Sequence, residues 1–254
     1  MIGADDRGFL LGDGLFETVL WDGGALAALD AHAARLIAGC ATMGLPPPDP
    51  ATLRIAAEKA VADAGLGNTR AAVRLTWTAG SGGRGLNRPT TITPRLIASA
   101  APSPKPTTPV RLIISSVRRN EGSPASRLKT LAYLDNVLAR REATDAGADD
   151  ALMLNNRGEI ACASAANVFW FEGDTLVTPA LDCGVLDGIM RAAVIARAHR
   201  LGWELREARA NRRALEQASG LFLTNSLIGV RAVAAFDGAA MPRNSLLDSL
   251  IGGN

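Results

Sequence analysis

Lysine is scarce in this sequence, and Lys129 lies where its amine could do chemistry. Of the 27 basic side chains, 24 are arginine, and the lysines are Lys59, Lys105 and Lys129. Lys129 lies between Leu128 and Leu131, and apolar neighbours lower the pKa of an amine by desolvating its charged form. A neutral amine can form a Schiff base with a carbonyl. The alternative interpretation of the same residues is a surface lysine that precedes a helix.

Three further features could bind the phosphate of a ligand. Gly188 and Ile189 begin a predicted helix, and the free N–H groups at a helix N-terminus attract anions. In the run TNS, Asn225 and Ser226 follow an apolar strand and could supply polar donors. Arg35 lies on an otherwise apolar helical segment. Each feature also has an ordinary structural interpretation: a junction between a loop and a helix, a capped turn, and a surface arginine, in the same order. These residues are therefore candidates for phosphate binding.

A glycine-rich loop carries a candidate for binding a carboxylate. The segment 79-AGSGGRGL-86 follows a predicted strand, and its glycines would let the backbone approach a ligand closely. Arg84 in this loop has a planar fork that matches a carboxylate. The spacing of its glycines fits neither a Walker loop nor a dinucleotide-binding fingerprint. The alternative to a ligand-binding loop is therefore a flexible turn.

The composition argues against several classes of partner. Hydrophobic residues make up 48% of the chain and charged residues 20%, as in a globular protein. The net charge of +2 and the aromatic content of 4% do not favour nucleic acid. No apolar run reaches the ~18 residues of a membrane span, and no signal peptide is expected. We therefore expect a small-molecule substrate and neither a nucleic acid nor a membrane as partner.

The cysteines and histidines do not form a metal-binding pattern. Cys40, Cys162 and Cys183 are widely spaced and odd in number, which is typical of reduced thiols in a cytoplasm. His32 and His199 have no partner at metal-ligand spacing. The sequence therefore predicts a cytoplasmic protein without a metal site.

The pattern of apolar residues predicts an α+β protein in two parts. Residues 101–109 contain four prolines and predict a linker between a smaller domain, 1–100, and a larger domain, 110–254. Helical spacing and short apolar runs then separate predicted helices from predicted strands. The predicted helices are 35–43, 51–64, 131–146 and 188–201, and the predicted strands are 71–78, 92–98, 110–117, 151–154, 167–171, 175–177, 221–224 and 230–236.

Seven segments, taken together, point to a known family. They are 6-DRGFLLGDGLFET-18, 32-HAARL-36, 81-SGGRG-85, 126-SRLKTLAYLDNVLARREA-143, 163-ASAANVFWF-171, 183-CGVLDGIMR-191 and 224-TNS-226. In this order they resemble the fold-type IV enzymes that depend on pyridoxal 5′-phosphate (PLP), the class IV aminotransferase family. The resemblance runs over nearly the whole chain. It implies two α/β domains with PLP in the cleft between them, and a homodimer.

The resemblance assigns roles to the candidate residues. Lys129 would form the Schiff base with PLP and would carry the proton during the reaction. The resemblance implies that Arg35, Ile189, Asn225 and Ser226 hold the phosphate, and Gly188 is a further cofactor-binding candidate because it begins the predicted helix. Arg84 would bind a substrate carboxylate. Phe16 occupies a place near the substrate where aminotransferases of this family often carry a tyrosine.

One position departs from the family pattern. The family places a glutamate, which pairs with the pyridine nitrogen of PLP, five residues before the asparagine that corresponds to Asn167; this sequence has Cys162 there. A glutamate keeps that nitrogen protonated, and a neutral thiol does so poorly. Glu159 would point to the opposite face of a regular strand. The family also has a strand before the DRG segment, where only five residues precede Asp6.

Three hypotheses for the function follow from the resemblance. The first hypothesis rests on the motifs SGGRG, AANVFW and CGVLDGIMR, which are most similar to those of the lyase branch. Enzymes of that branch remove pyruvate from 4-amino-4-deoxychorismate and give 4-aminobenzoate. Cys162 favours this branch, because an elimination demands less of the cofactor ring than a transamination. The second hypothesis is an aminotransferase for D-amino or branched-chain amino acids with 2-oxo acid acceptors. The third is a PLP-binding protein without turnover.

Overall fold

The computed structural model describes residues 2–252, which form two compact units. The first unit comprises the residues up to Lys105 and the segment Leu128–Ala132. The second comprises Pro106–Arg127 and the residues from Tyr133 onward. The mixture of helices and strands predicted from the sequence is confirmed. Within the described residues, no helix is both long enough and apolar enough to cross a membrane.

The first unit is a three-stranded antiparallel sheet with helices packed on it. The strands are β1 (Gly14–Asp22), β2 (Arg70–Thr78) and β3 (Arg95–Pro102), in the order β1-β2-β3. The helices are α1 (Arg7–Leu11), α2 (Leu29–Met43) and α3 (Pro50–Asp63). Asp6 begins α1 by accepting hydrogen bonds from the backbone N–H groups of Gly8 and Phe9, which have no partner within the helix.

Successive side chains of β1 and β2 point to opposite sides, so the sheet has two different faces. Leu15 and Val19 of β1 and Val73 of β2 are buried against α2 and α3. The antiparallel register pairs Phe16 with Thr76, so these two side chains lie on the other face. β1 therefore contributes both to the core and to the face on which Phe16 lies.

The segment that carries Lys129 belongs to the first unit because its backbone pairs with β1. The N–H of Phe16 donates to the carbonyl of Lys129 at 2.9 Å. The N–H of Leu131 donates to the carbonyl of Gly14 at 3.0 Å. These two bonds fix the main chain on either side of Thr130, which bridges to β1.

Sequence predictions around this segment are corrected by the structure. The helix predicted over 131–146 spans Leu134–Asp145, because the residues before it are committed to the pairing with β1. Lys129 consequently lies in a turn of the first unit, although the predicted boundaries 110–254 include it in the larger domain. Residues 101 and 102 of the predicted linker complete β3, an edge strand in which proline is tolerated.

The second unit is built on a larger mixed sheet. Its strands are β4 (Val110–Arg119), β5 (Asp150–Asn155), β6 (Ile160–Ala163), β7 (Asn167–Glu172), β8 (Thr175–Pro179), β9 (Leu205–Ala208), β10 (Gly220–Asn225), β11 (Gly229–Phe236) and β12 (Ala239–Ala240). Its helices are α4 (Pro124–Arg127), α5 (Leu134–Asp145), α6 (Ile189–Arg200), α7 (Arg212–Glu216) and α8 (Ser245–Gly252). The strand order is β6-β5-β4-β11-β10-β7-β8-β9, and β12 pairs with β11.

Both faces of this sheet carry apolar side chains into a core. Phe169 of β7 and Phe222 of β10 stack with ring centroids 5.0 Å apart, and they pack with residues of α6 and α8. Trp170, the next residue along β7, belongs to a separate core cluster. Strands that are covered on both faces carry continuous apolar runs, and the middle of β7 (VFWF) and of β10 (LFL) has this pattern. The rigid sheet holds the ends of β6, β7 and β10, where several candidate residues lie.

Gly80 offers a test of how tightly the first unit is packed after β2. Its φ of +76° is rarely adopted by L residues, and an added Cβ would lie 2.0 Å from the carbonyl oxygen of Thr93. Gly65 has a φ of +68° but open space around the Cβ position. We expect Gly65→Ala to lower the free energy of unfolding by about 1 kcal/mol and Gly80→Ala by about 3 kcal/mol. Urea denaturation would measure both, and equal losses would contradict the close approach at Gly80.

Candidate active site

Lys129 supplies a largely buried amine next to an aromatic ring. Its Nζ lies 4.1 Å from the centroid of the Phe16 ring. Burial lowers the pKa of Lys129 from its ordinary value of 10.5 to about 8. The negative charge of Glu17 opposes this shift, and the positive charges of Arg35 and Arg74 add to it. A pKa near 8 keeps part of the amine neutral at physiological pH, as a nucleophile or general base requires.

The Phe16 ring lies against a second cation, Arg74. The guanidinium carbon of Arg74 lies 3.7 Å from the ring centroid, a cation–π distance. Arg74 is paired with Thr18 in the β1–β2 register, so it shares a face of the sheet with Phe16. The sequence analysis missed Arg74. The available signal was an arginine that interrupts the apolar run of a predicted strand.

Arg35, a predicted phosphate ligand, is held by a buried carboxylate. Its Nε and Nη2 donate to the two oxygens of Glu17 at 2.7 and 2.6 Å. Nδ1 of His32 lies 2.7 Å from one of these oxygens. Glu17 is on β1, and both basic residues are on α2, so the packing of this helix on the sheet brings the three together. Neither Glu17 nor this contact of His32 was predicted from the sequence.

Arg84 lies on an exposed loop whose shape is set by Arg7. The buried Arg7 guanidinium donates to backbone carbonyls of the loop, namely those of Gly82, Gly85, Leu86 and Asn87, at 3.0 to 3.4 Å. Its Nε also donates to Asp13 at 2.9 Å. The loop is therefore a defined structure and not the flexible turn that was the alternative. Arg84 pairs with Asn87 inside this loop, where the N–H of Asn87 donates to its carbonyl at 3.2 Å.

Cys162 lies on β6 of the second unit, paired with Met153 of β5. Its side chain is buried, and burial raises the pKa of the thiol above its ordinary value of 9.0. The charge of Arg119 opposes this shift, and that of Asp150 adds to it. The thiol is therefore neutral at physiological pH.

Glu159 is committed to other partners. Its carboxylate forms an ion pair with Arg157 at 2.8 Å and accepts a hydrogen bond from the side-chain amide of Asn155 at 2.7 Å. The hydrogen bond from Arg157 is the largest of the effects that lower the pKa of Glu159. The residue precedes β6 and pairs with Asn211. The carboxylate of Glu159 is therefore engaged by Arg157 and Asn155.

Gly188 and Ile189 begin α6, as the sequence predicts. Among the described residues no side chain caps this N-terminus by a hydrogen bond. A Cβ added at Gly188 would lie 2.0 Å from Oδ1 of Asn167, so a larger residue there would have to displace the Asn167 side chain. Asn167 also donates from Nδ2 to the carbonyl of Leu186 at 2.9 Å and thereby ties β7 to the segment before α6.

Thr224 brings an unpartnered hydroxyl to the end of β10. Its Oγ1 is buried and has no hydrogen-bond partner within the described residues. The residue is paired with Asn167 in the β7–β10 register, so it lies close to the start of α6. A buried hydroxyl without a partner is costly, and a ligand oxygen would satisfy it. Within the run TNS, the residues predicted from the sequence were Asn225 and Ser226, the two that follow Thr224.

Asn225 uses its side chain to shape the turn that follows. Its Nδ2 donates to the carbonyl of Ala165, and its Oδ1 accepts from the N–H groups of Leu227 and Ile228, each at 2.9 Å. Ser226 is half-buried within this turn. A phosphate role for Asn225 would therefore involve its backbone.

Each unit, taken by itself, contains side chains or backbone groups that fit one chemical group of PLP. An amine of lowered pKa suits an aldehyde, and an uncapped helix N-terminus with a buried hydroxyl beside it suits a phosphate. The bidentate contact with Glu17 holds the Arg35 guanidinium in a defined orientation. Over residues 2–252, no group of three or more His, Cys, Asp and Glu side chains is arranged to hold a metal ion.

Comparisons with known proteins agree on one family. The model of the amino-transferase class IV family matches residues 14–236. The aminodeoxychorismate lyase of Bacillus subtilis is 30% identical over 228 residues, 89% of this chain and 78% of that protein. The crystal structure of 4-amino-4-deoxychorismate lyase from Pseudomonas aeruginosa matches with a TM-score of 0.89 and 34% identity, covering 100% of this chain and 94% of that one. A putative branched-chain-amino-acid aminotransferase of Methanocaldococcus jannaschii is 31% identical over 239 residues, 92% of this chain and 82% of that protein.

The lowered pKa of Lys129 predicts a pH-dependent gain of stability in Lys129→Met. Between pH 8 and 10.5 the unfolded chain holds a proton that the folded chain, free of any bound aldehyde, has released. The free energy of unfolding of the wild type therefore rises with pH through this window. We expect the advantage of the variant over the wild type to be about 3 kcal/mol larger at pH 7 than above pH 10.5.

Urea denaturation at several pH values measures this difference. Lys59→Met is the matched control, because Lys59 is exposed and pairs with Asp63. Its effect should not change through the same window. A difference between Lys129→Met and the wild type that stays constant with pH would contradict the lowered pKa.

Proposed function

Because the chain belongs to the amino-transferase class IV family, we propose that it is a PLP-dependent lyase that eliminates pyruvate from 4-amino-4-deoxychorismate and leaves 4-aminobenzoate. The observation that carries the choice of a lyase is Cys162, a buried thiol of raised pKa where the family pattern has a glutamate. The lyases from Bacillus subtilis and Pseudomonas aeruginosa, at 30% and 34% identity, support the proposal.

The proposed cofactor ligands are the donors described above. Lys129 would hold PLP covalently, and Arg35 would bind its phosphate from the orientation that Glu17 imposes. The other proposed phosphate ligands are Gly188, Ile189, Thr224, Asn225 and Ser226. When bound, PLP supplies electron withdrawal at the α-carbon of an amino substrate.

The neutral thiol of Cys162 is the chemical reason to prefer an elimination. A glutamate at this position would keep the pyridine nitrogen protonated and would strengthen electron withdrawal. Transamination depends on strong electron withdrawal. The negative charge left by loss of the α-proton would have to be stabilised until a proton is added at another carbon. In an elimination the leaving group departs with the electron pair released by loss of the α-proton, so less stabilisation is needed.

Lys129 is the proposed base and acid of this elimination. Its neutral amine would take the α-proton, and the ammonium so formed would return a proton to the departing enolpyruvate, which becomes pyruvate. A pKa of about 8 suits both steps, since amine and ammonium are both populated near neutral pH. Phe16, 4.1 Å from the amine, shields it from water on one side.

Arg84 is the proposed ligand for a substrate carboxylate. 4-Amino-4-deoxychorismate carries two carboxylates, and a guanidinium can bind each of them through two parallel hydrogen bonds. Arg84 is exposed on a loop whose backbone Arg7 holds, so its side chain extends from a defined main chain. Arg74, beside Phe16, is a second exposed guanidinium near Lys129.

The second candidate function is transamination of branched-chain or D-amino acids. It is favoured by the Methanocaldococcus jannaschii relative, which matches 92% of this chain, compared with 89% and 100% for the two lyases. Lys129 and Arg35 would serve either reaction, so the two functions differ at Cys162 and in the binding of substrate. A PLP-binding protein without turnover is the third possibility and rests on the missing glutamate alone.

We also propose a cytoplasmic homodimer. Helix α1 leaves Phe9 71% and Leu10 58% exposed, and adjacent exposed side chains of this kind commonly pack against a partner subunit. The cysteines of the described chain are free thiols, which supports a reducing compartment.

The proposed reaction predicts specific products. The purified protein with PLP should convert 4-amino-4-deoxychorismate to equal amounts of 4-aminobenzoate and pyruvate, measured by chromatography and a coupled pyruvate assay. Lys129→Ala should abolish product formation and the visible absorbance of lysine-bound PLP, while Lys59→Ala leaves both unchanged. If D-alanine or L-leucine is converted to its 2-oxo acid and 4-amino-4-deoxychorismate is untouched, the protein is an aminotransferase.

Cys162→Glu tests the role of the thiol. The variant restores the acidic group of the family pattern near Arg119, whose positive charge favours an ionised side chain there. We expect the rate of the transamination half-reaction with D-alanine or L-leucine, followed by absorbance without a 2-oxo acid, to rise by about tenfold or more, equivalent to about 1.4 kcal/mol. Cys162→Ser, which stays neutral, should show no gain. A rate in Cys162→Glu that does not exceed this control would show that position 162 does not act on the pyridine nitrogen.

A further inference from the structure

Glu17 is a buried carboxylate engaged by two basic side chains of α2. Its side chain is 1% exposed. Arg35 donates to it from Nε and Nη2 at 2.7 and 2.6 Å, and Nδ1 of His32 lies within hydrogen-bond distance at 2.7 Å. An ionised carboxylate only accepts hydrogen bonds, so Nδ1 of His32 carries the proton in this pair.

The Glu17 carboxylate is ionised. Burial alone would raise its pKa, but the hydrogen bonds from His32 and Arg35 outweigh burial and hold the pKa below its ordinary value of 4.5. The group therefore keeps its negative charge at neutral pH.

Packing of the core does not explain why this charge is buried. Leu15 and Val19, on the same face of β1, are buried apolar residues, and an apolar side chain at position 17 would continue their row. Replacing a buried ion pair with apolar residues of similar volume is often neutral or stabilising. A contribution to the free energy of unfolding therefore does not account for the pair of Glu17 and Arg35. Its effect on the charge and orientation of neighbouring side chains is the better explanation.

Lys129 is the neighbouring group on which this charge acts. The charges of Glu17 on β1, Arg35 on α2 and Arg74 on β2 act on its amine. Of these three, both arginines lower the pKa of Lys129, and Glu17 raises it. His32 is connected to this set through its hydrogen bond to Glu17.

We infer that Glu17 is a positioning residue that holds the Arg35 guanidinium in one orientation for a phosphate and offsets the charges of Arg35 and Arg74 at the Lys129 amine. It acts through these side chains and not on a reacting atom. The inference rests on the proposed function, because it takes Lys129 as the lysine that binds PLP and Arg35 as a ligand of its phosphate.

The test compares how the full-length apoprotein binds PLP and pyridoxal, two aldehydes that differ in the phosphate. Binding of each is followed by visible absorbance across pH, and borohydride reduction with peptide mapping identifies the lysine. In Glu17→Gln, the Arg35 guanidinium loses its charged partner, so the preference for PLP over pyridoxal should fall about tenfold or more. The pH midpoint of pyridoxal binding should move to lower pH, because the charge that raises the pKa of Lys129 is removed.

A weaker preference for PLP together with a pyridoxal midpoint at lower pH indicates a positioning role. A loss of structure would instead weaken the binding of both aldehydes to the same extent. Glu58→Gln removes an exposed carboxylate from α3 of the same unit and should change neither quantity. If Glu17→Gln does not fold, Arg35→Met provides the complementary test. Its pyridoxal midpoint should move to higher pH, since Glu17 then acts on Lys129 without opposition from Arg35.

Two results overturn the inference. One is a Glu17→Gln protein that matches the wild type in both phosphate preference and pyridoxal midpoint, and the other is an unchanged midpoint in Arg35→Met. Failure of the proposed function has a different signature, because the wild type would then bind neither aldehyde at Lys129.

Discussion

The backbone pairing between β1 and the turn at Lys129 is the constraint on which the candidate site depends. A lysine on a loosely held turn would extend its side chain into water and recover its ordinary pKa. Here the hydrogen bond from the Phe16 N–H to the Lys129 carbonyl fixes the main chain, and the amine remains near the Phe16 ring. The folded protein thus carries an amine that destabilises it at neutral pH, a common feature of sites built for chemistry and not for stability.

Strand β1 serves several purposes because its side chains alternate. Leu15 and Val19 secure the strand against the helices, while Phe16 faces the other way and contacts the amine. Glu17 lies on the core side, where it binds Arg35, and it still influences Lys129 electrostatically. A one-residue slip of β1 would exchange these roles, so the register with β2 maintains both the core and the site.

Sequence alone was sufficient where a residue type was rare or a segment was long. Lys129 could be found because the chain has few lysines, and α6 because its helical spacing extends over three turns. Sequence was insufficient where a contact depends on packing. The bond between Glu17 and Arg35 joins a strand to a helix, and β1 was not among the predicted strands because the charge at position 17 interrupts its apolar pattern.

The same limit applies to the ends of the elements. Local spacing predicts a helix from residue 131, but the hydrogen bond that Leu131 makes with Gly14 delays its start to Leu134. In the run TNS, composition could not show that the side chain of Asn225 is used in its own turn, or that the Thr224 hydroxyl has no hydrogen-bond partner within residues 2–252. The roles assigned to the site residues stay predictions.

The way Arg7 holds the glycine-rich loop has a consequence for how the family could diversify. Within that loop its guanidinium donates to main-chain carbonyls, which every residue type provides. The path of the loop is therefore largely independent of which side chains stand at positions 84 and 86. Evolution could exchange those side chains, and with them the molecules recognised, while the scaffold beneath them keeps its shape.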